Sequence, residues 1–125
     1  MYGKPLAYIV KIKDIREIPG ADRIELATVM DYTVVVKKNE YKPGDFGLYV
    51  EVDSVLPDDA EKFPFFEFLR DKKFKIKSMK LGKFGVISQG ILFKPSDIGL
   101  TNVKVGQDYT QQFKITEIVQ DEEEA

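Results

Sequence analysis

The sequence predicts an all-β fold: a small closed barrel carrying one short helical insert. Three observations predict it. Apolar residues recur with the two-residue period of strands rather than the period of helices. Turns such as "PGAD" (19–22) and "KPGD" (42–45) divide the chain into short runs, because proline fixes one dihedral, glycine permits reversal and aspartate bonds its own backbone. Five or six strands this short need closure to avoid exposed edges.

Each run justifies its element. "LAYIVKIKDIREI" (6–18) sets Val10 and Ile12 on one face, then slips phase by one to Ile15, which predicts a bulge near Lys13–Asp14. A long bulged strand suits a barrel that bends around itself. "RIELATV" (23–29) aligns Ile24 with Leu26, and "YTVVVKK" (32–38) is rich in the β-branched residues that favour half-buried strands. "FGLYVEVDSV" (46–55) alternates, with Leu48, Val50 and Val52 facing one way and Tyr49, Glu51 and Asp53 the other. "PDDAEKFPFFEFLR" (57–70) breaks the period: Pro57, Asp58 and Asp59 can start a short helix that Pro64 interrupts or restarts. "FKIKSMKL" and "VISQGILF" read as two further strands joined across Gly82–Gly85. The expected domain covers residues 1–116, and the acidic remainder, 117–125, reads as a disordered tail.

Composition narrows the chemistry. With 43% hydrophobic and 32% charged residues the chain is that of a globular domain. No apolar run approaches the roughly 20 residues that span a bilayer, and the opening stretch is too short for a signal peptide. Absence of cysteine excludes disulfides and thiolate zinc sites and makes a cytoplasmic, intracellular location the expectation. Absence of histidine removes the usual general base and the commonest metal ligand. Glu51 and Asp53 share a strand face, but without a third ligand they carry no metal assignment. Charge is unevenly spread: residues 62–94 hold nine bases against two acids, +7, while the rest of the chain carries −9. Such a block is either a polyanion-binding face or a solvated strand face.

Three ordered segments, "IPGADRIELATV" (18–29), "VVVKKNEYKPGDFGLYVEVDSVLP" (34–57) and "FKIKSMKLGKFGVISQGILF" (74–93), resemble one known module. It is the N-terminal OB-fold domain of ATP-dependent RNA ligases of the Deinococcus type, and the likeness covers roughly residues 6 to 115. The resemblance implies a Greek-key OB barrel with the helical insert between strands 4 and 5. It also implies binding of RNA or an RNA-containing duplex, and a neighbouring nucleotidyltransferase domain in the same or another chain. Many relatives carry a lysine-leucine-arginine-glycine run before "SQG"; here "KLGKFGVISQG" is longer and lacks the arginine, leaving Lys80 and Lys83 as its substitutes. The ligase nucleophile motif, lysine-any-aspartate-glycine, does not occur in these residues. This chain alone is therefore not expected to be an enzyme. It is expected to need no cofactor, ATP and Mg²⁺ being implied only for an associated ligase domain. "PGADRIELATV" and "SQGILF" are also similar to the tRNA-binding OB domains appended to some aminoacyl-tRNA synthetases.

An OB barrel binds along its strand 2–3 face, between the loops joining strands 1–2 and 4–5. The strand 4–5 connection, 54–85, holds most of the basic block. Lys75, Lys77, Lys80 and Lys83 are thus the candidate phosphate contacts, with Phe74 and Ile76 turned inward. Lys80 needs a bulge near Ser78–Met79 to join the row. Lys37 and Lys38 can extend the track or end a solvated strand. Arg23 can reach a phosphate or pair with Asp22 or Glu25. Phe84 can stack on a base or fold back on the barrel. Gln89 can contact the ligand, or fasten a loop while Ser88 and Gly90 shape the last strand. The cluster Phe63, Phe65, Phe66, Phe68 and Leu69 reads as core, with a protein-docking surface as the alternative.

Overall fold

The computed structural model describes residues 4–118. Its strands are β1 (Ala7–Lys11), β2 (Asp14–Glu17), β3 (Ile24–Val29), β4 (Tyr32–Lys37), β5 (Phe46–Val50), β6 (Ser54–Val55), β7 (Met79–Leu81), β8 (Val86–Ser88), β9 (Ile91–Phe93) and β10 (Thr116–Glu117). Two 3₁₀ helices, Pro64–Lys72 and Pro95–Ile98, complete the described residues.

The first run of the chain serves two sheets. β1 pairs antiparallel with β5, which pairs with β9, whereas β2 pairs with β3 and β3 with β4. The transfer falls at the predicted phase slip: Ile12 N–H donates to Asp45 O at 2.8 Å, and Lys13 N–H donates to Thr28 O at 2.8 Å. A bend that lets one strand belong to both sheets is what closure requires. The other seam joins β4 to β8 and to Gln89. Gln89 N–H donates to Thr33 O at 2.8 Å, Thr33 Oγ1 donates to Ile87 O at 2.7 Å, and Val35 N–H donates to Ser88 Oγ at 2.9 Å.

Two cores result. The barrel interior holds Val10, Ile12, Ala27, Val29, Val34, Val36, Tyr41, Tyr49 and Leu92. The opposite face of the β1–β5–β9 sheet is also buried, under Phe63, Phe66, Leu69, Phe74 and Ile76 from the insert and Leu100, Tyr109, Phe113 and Ile115 from the C-terminal segment. Leu48 and Val50 therefore face this second core while Tyr49 fills the barrel, the alternation expected for β5 but with both sides covered. Burying one such phenylalanine contributes roughly 1.5–3 kcal/mol. Packing therefore ties the insert down more firmly than its exposed pairs of Arg70 with Asp58 and Glu67.

Four expectations on element bounds are corrected. The insert helix begins at Pro64, not Pro57, because proline suits the first helical turn. The strand expected through 46–55 ends at Val50 and resumes at Ser54, since Asp53 adopts a left-handed φ of 70°. "FKIKSMKL" is a strand only at Met79–Leu81; Lys73 and Phe74 both have positive φ as the chain leaves the helix, and Lys75 forms a single bridge to Val55. "VISQGILF" is two strands, separated at Gly90 with φ 91°. Burial still alternates as predicted at Phe74 and Ile76, both buried. Of the acidic tail, Glu117 lies in β10 and Ile118 N–H donates to Asp53 O; the remainder, 119–125, lies outside the described residues.

Candidate nucleic-acid interface

Register fixes which residues the β2–β3–β4 sheet turns outward. Glu25, Ala27 and Val29 point into the barrel, so Ile24, Leu26 and Thr28 face out, beside Asp14 and Arg16 on β2 and Thr33, Val35 and Lys37 on β4. Ile24 and Leu26 share one face, as their spacing predicts, and that face is the half-buried outer surface. The buried Glu25 is satisfied instead, its Oε1 accepting from Asn39 N–H at 2.7 Å.

Two clefts meet on this side of the barrel, sharing Val35 and Ile91. The first, about 450 Å³, lies between the β4 edge, the insert and the β7–β8 hairpin, with Leu69, Ile76, Met79 and Leu81 on its walls and Lys72, Lys75 and Lys77 around it. The second, about 540 Å³, runs past Ile24 and Lys37 toward Phe65, Phe68 and Lys94. Phe68 is 62% exposed, whereas Phe63, Phe66 and Leu69 are buried, so the aromatic cluster is core with one ring turned out.

The candidate residues fall into three places. Lys75 and Lys77 flank the first cleft; Lys77 Nζ also lies 3.3 Å from Asp53 Oδ1, in a pair whose side chains are 53% and 59% exposed. Lys80 pairs with Ile87 on the strand positions alternate to Met79 and Leu81, so it sits on the reverse side of the hairpin from the cleft. Lys83 and Phe84 occupy the hairpin tip, the ammonium 5.6 Å from the ring centroid and the ring against Gly20 in the turn leading to Arg23. Arg23, Lys37 and Lys38 share one end of the β3–β4 pair: Lys38 N–H donates to Arg23 O at 2.9 Å, and Lys37 stands opposite Ile24. Lys72, also of the basic block, reaches the cleft from the end of the insert helix, a place that strand periodicity does not mark.

Gln89 is built into the closing seam. Its backbone N–H holds Thr33, its carbonyl accepts from Tyr49 Oη–H at 2.8 Å, and its side-chain Oε1 stands 3.4 Å from Thr33 N. A further polar hollow, about 300 Å³ and including Lys4, Tyr32, Tyr49, Glu51, Ser78 and Gln89, was not foreseen. There Tyr32 stacks on Tyr49 at 5.6 Å, and Glu51 accepts from Tyr8 Oη–H at 2.6 Å and pairs with Lys4 at 3.1 Å. The Glu51 contact raises the Lys4 pKa. Burial first, then the Glu51 hydrogen bond, pushes the Tyr8 hydroxyl above its ordinary value; burial likewise raises Tyr49 and Tyr41. Above about pH 10 the unfolded tyrosines lose protons that the folded ones keep, so stability falls as pH rises and is whole below that point. The urea midpoint is accordingly expected to hold level from about pH 7 to 9 and to drop beyond about 10. Among the described residues no group of acids is arranged to hold a metal, and no helix is long and apolar enough to cross a membrane.

A closed barrel whose first strand feeds both sheets, with a helical insert before its last strands and an open β2–β3–β4 face, is an OB-fold. Residues 6–95 match the family model of the PHA02142 OB-fold domain, and the chain belongs to that family. Among solved structures it is similar to Naegleria gruberi RNA ligase with PPi, at 30% identity and TM-score 0.79 over 94% of this chain. It is similar also to a lysine-to-methionine mutant of that ligase with AMP and Mn, at 31% identity and TM-score 0.78 over 91% of this chain. The chain spans about a third of those proteins, 36% and 35% of their lengths. No curated protein matches it. It is an RNA-ligase-like OB domain.

Proposed function

We propose that this domain grips the phosphate backbone of RNA or an RNA-containing duplex and positions strand ends for a nucleotidyltransferase domain outside this chain. The observation that carries the reading is the cationic cleft: Lys72, Lys75 and Lys77 stand around an opening at the β4 edge, where OB barrels take their ligands. Lys37, Lys38, Arg23, Lys83 and Phe84 are secondary contacts in this reading, Lys80 stands away from the cleft on the reverse of the hairpin, and Gln89 acts through the seam it holds. Backbone contacts of this kind give affinity with little sequence preference. ATP and Mg²⁺ belong to the catalytic domain, and the cytoplasm is the compartment that suits such a domain. Phe68, exposed beside the second cleft, is the surface that would meet a partner domain.

Fluorescence anisotropy with a nicked RNA-containing duplex tests this. Affinity is expected to fall steeply with salt; salt-independent binding, or preference for folded tRNA over the nicked duplex, defeats the reading. Asp53→Asn supplies an internal check. Asparagine accepts the left-handed backbone there, and the exchange removes a carboxylate that competes for Lys77. Because an exposed pair contributes only about 0–1 kcal/mol, RNA affinity should rise about two- to threefold with little change in unfolding midpoint.

A further inference from the structure

The cleft ringed by Lys72, Lys75 and Lys77 has a floor that a phosphate chain does not explain. Val35, Leu69, Ile76, Met79, Leu81 and Ile91 line it, and its volume of about 450 Å³ is within the range of ligand pockets. A stacked duplex offers lysines its phosphates but keeps the apolar faces of its bases inside, so it would leave this hollow unfilled. An unpaired nucleotide offers both at once: an anionic linkage for the ammonium groups and a flat apolar base for the floor.

We infer that this cleft receives one unpaired nucleobase, turned out of the strand whose phosphates the surrounding lysines hold. The inference rests on the proposed function and sharpens its substrate class to an RNA end or junction with at least one unpaired nucleotide. The apolar part of the lining is aliphatic apart from Met79, 45% exposed; apolar walls and a pliable thioether accept any base face. Ser88, whose Oγ accepts from Val35 N–H, and Ser78 are the hydroxyls at hand. Two hydroxyls distinguish bases weakly, so the site reads whether a base is unpaired rather than which base it is.

The test compares three RNA-containing duplexes of equal length: fully paired, with one unpaired nucleotide at the nick, and with that nucleotide abasic. The unpaired base should bind about tenfold tighter than either control. A fluorescent purine at that position should change its emission on binding, and Met79→Ala should reduce the tenfold preference. Should Met79→Ala fail to fold, the abasic comparison decides on the unaltered protein. Equal affinity for all three duplexes with a steep salt dependence would overturn the inference and leave backbone binding standing; no binding of any duplex would overturn both. Displacement of the purine by a long-chain fatty acid that binds more tightly would make the cleft an acyl-anion site and would also overturn it.

Discussion

Replacing Lys72, Lys75 and Lys77 together by alanine is expected to lower affinity for a nicked RNA-containing duplex on the order of a hundredfold at low salt. It should also flatten the dependence of affinity on salt by about two to three units of logarithmic slope. The second measure is the more informative. Each lysine that neutralises a phosphate releases about one counterion, so losing three contacts removes a fixed part of the slope, whatever happens to affinity at one salt concentration. Lys75 makes an interaction within the chain as well, so the urea midpoint must be followed beside binding; a loss of affinity counts only where the midpoint is kept. Arg70→Ala is the matched control. Its guanidinium already faces Asp58 at 2.6 Å and Glu67 at 2.9 Å, and affinity should stay within about twofold. If Arg70→Ala were to weaken binding as much as the triple replacement, general charge and not the cleft would be holding the RNA.

The contrast between these cations marks where sequence reading stops. The charge block was visible in one dimension, and alternation correctly turned Phe74 and Ile76 inward. Period alone could not show that the strand reading of 74–78 is false, because a chain pinned by two buried apolar side chains, Phe74 and Ile76, alternates whether or not it joins a ladder. Period did place Lys80 on the parity opposite Lys75 and Lys77; the bulge expected near Ser78–Met79 to bring it into the row does not do so, and the β7–β8 register leaves Lys80 on the side away from the cleft. The break near Lys13–Asp14 was legible because a phase slip is written directly in the residues; the structure makes it a transfer between two sheets, β1 to β5 and β2 to β3, where a bulge in one strand was expected. The second core was not: its C-terminal contributors, Leu100, Tyr109, Phe113 and Ile115, are spaced irregularly through a segment with little regular structure. The hollow of Tyr32, Tyr49 and Glu51 escaped for a related reason: alternation separates Tyr49 from Leu48 and Val50 but does not show that both sides of β5 are covered, nor that Tyr32 stacks on Tyr49.

Gly90→Ala should be the most damaging single substitution at the barrel seam, costing on the order of 3 kcal/mol or more. An added Cβ would stand 2.6 Å from Tyr49 Cε1 and 2.6 Å from Val50 O, at a φ of 91° that side chains rarely adopt. Neither neighbour can retreat. Val50 O is backbone in the β5–β9 ladder, and the Tyr49 ring is held by its hydroxyl bond to Gln89 O, by Tyr32 stacked at 5.6 Å and by Tyr8 edge-on at 5.9 Å. Left-handed strain and overpacking therefore add instead of offering alternative escapes. For a domain of about 5–15 kcal/mol total stability, the loss would populate unfolded protein near physiological temperature. Gly82→Ala, with nothing within 4 Å of its added carbon, should leave the urea midpoint nearly unchanged. Gly90 and Ser88 also line the lysine-ringed cleft, so any Gly90→Ala protein that folds should bind RNA less well than Gly82→Ala. A Gly90→Ala midpoint equal to that of the unaltered protein would mean that the backbone at Gly90, just before β9, does not approach Tyr49 closely, and the cleft wall built on that approach would go with it.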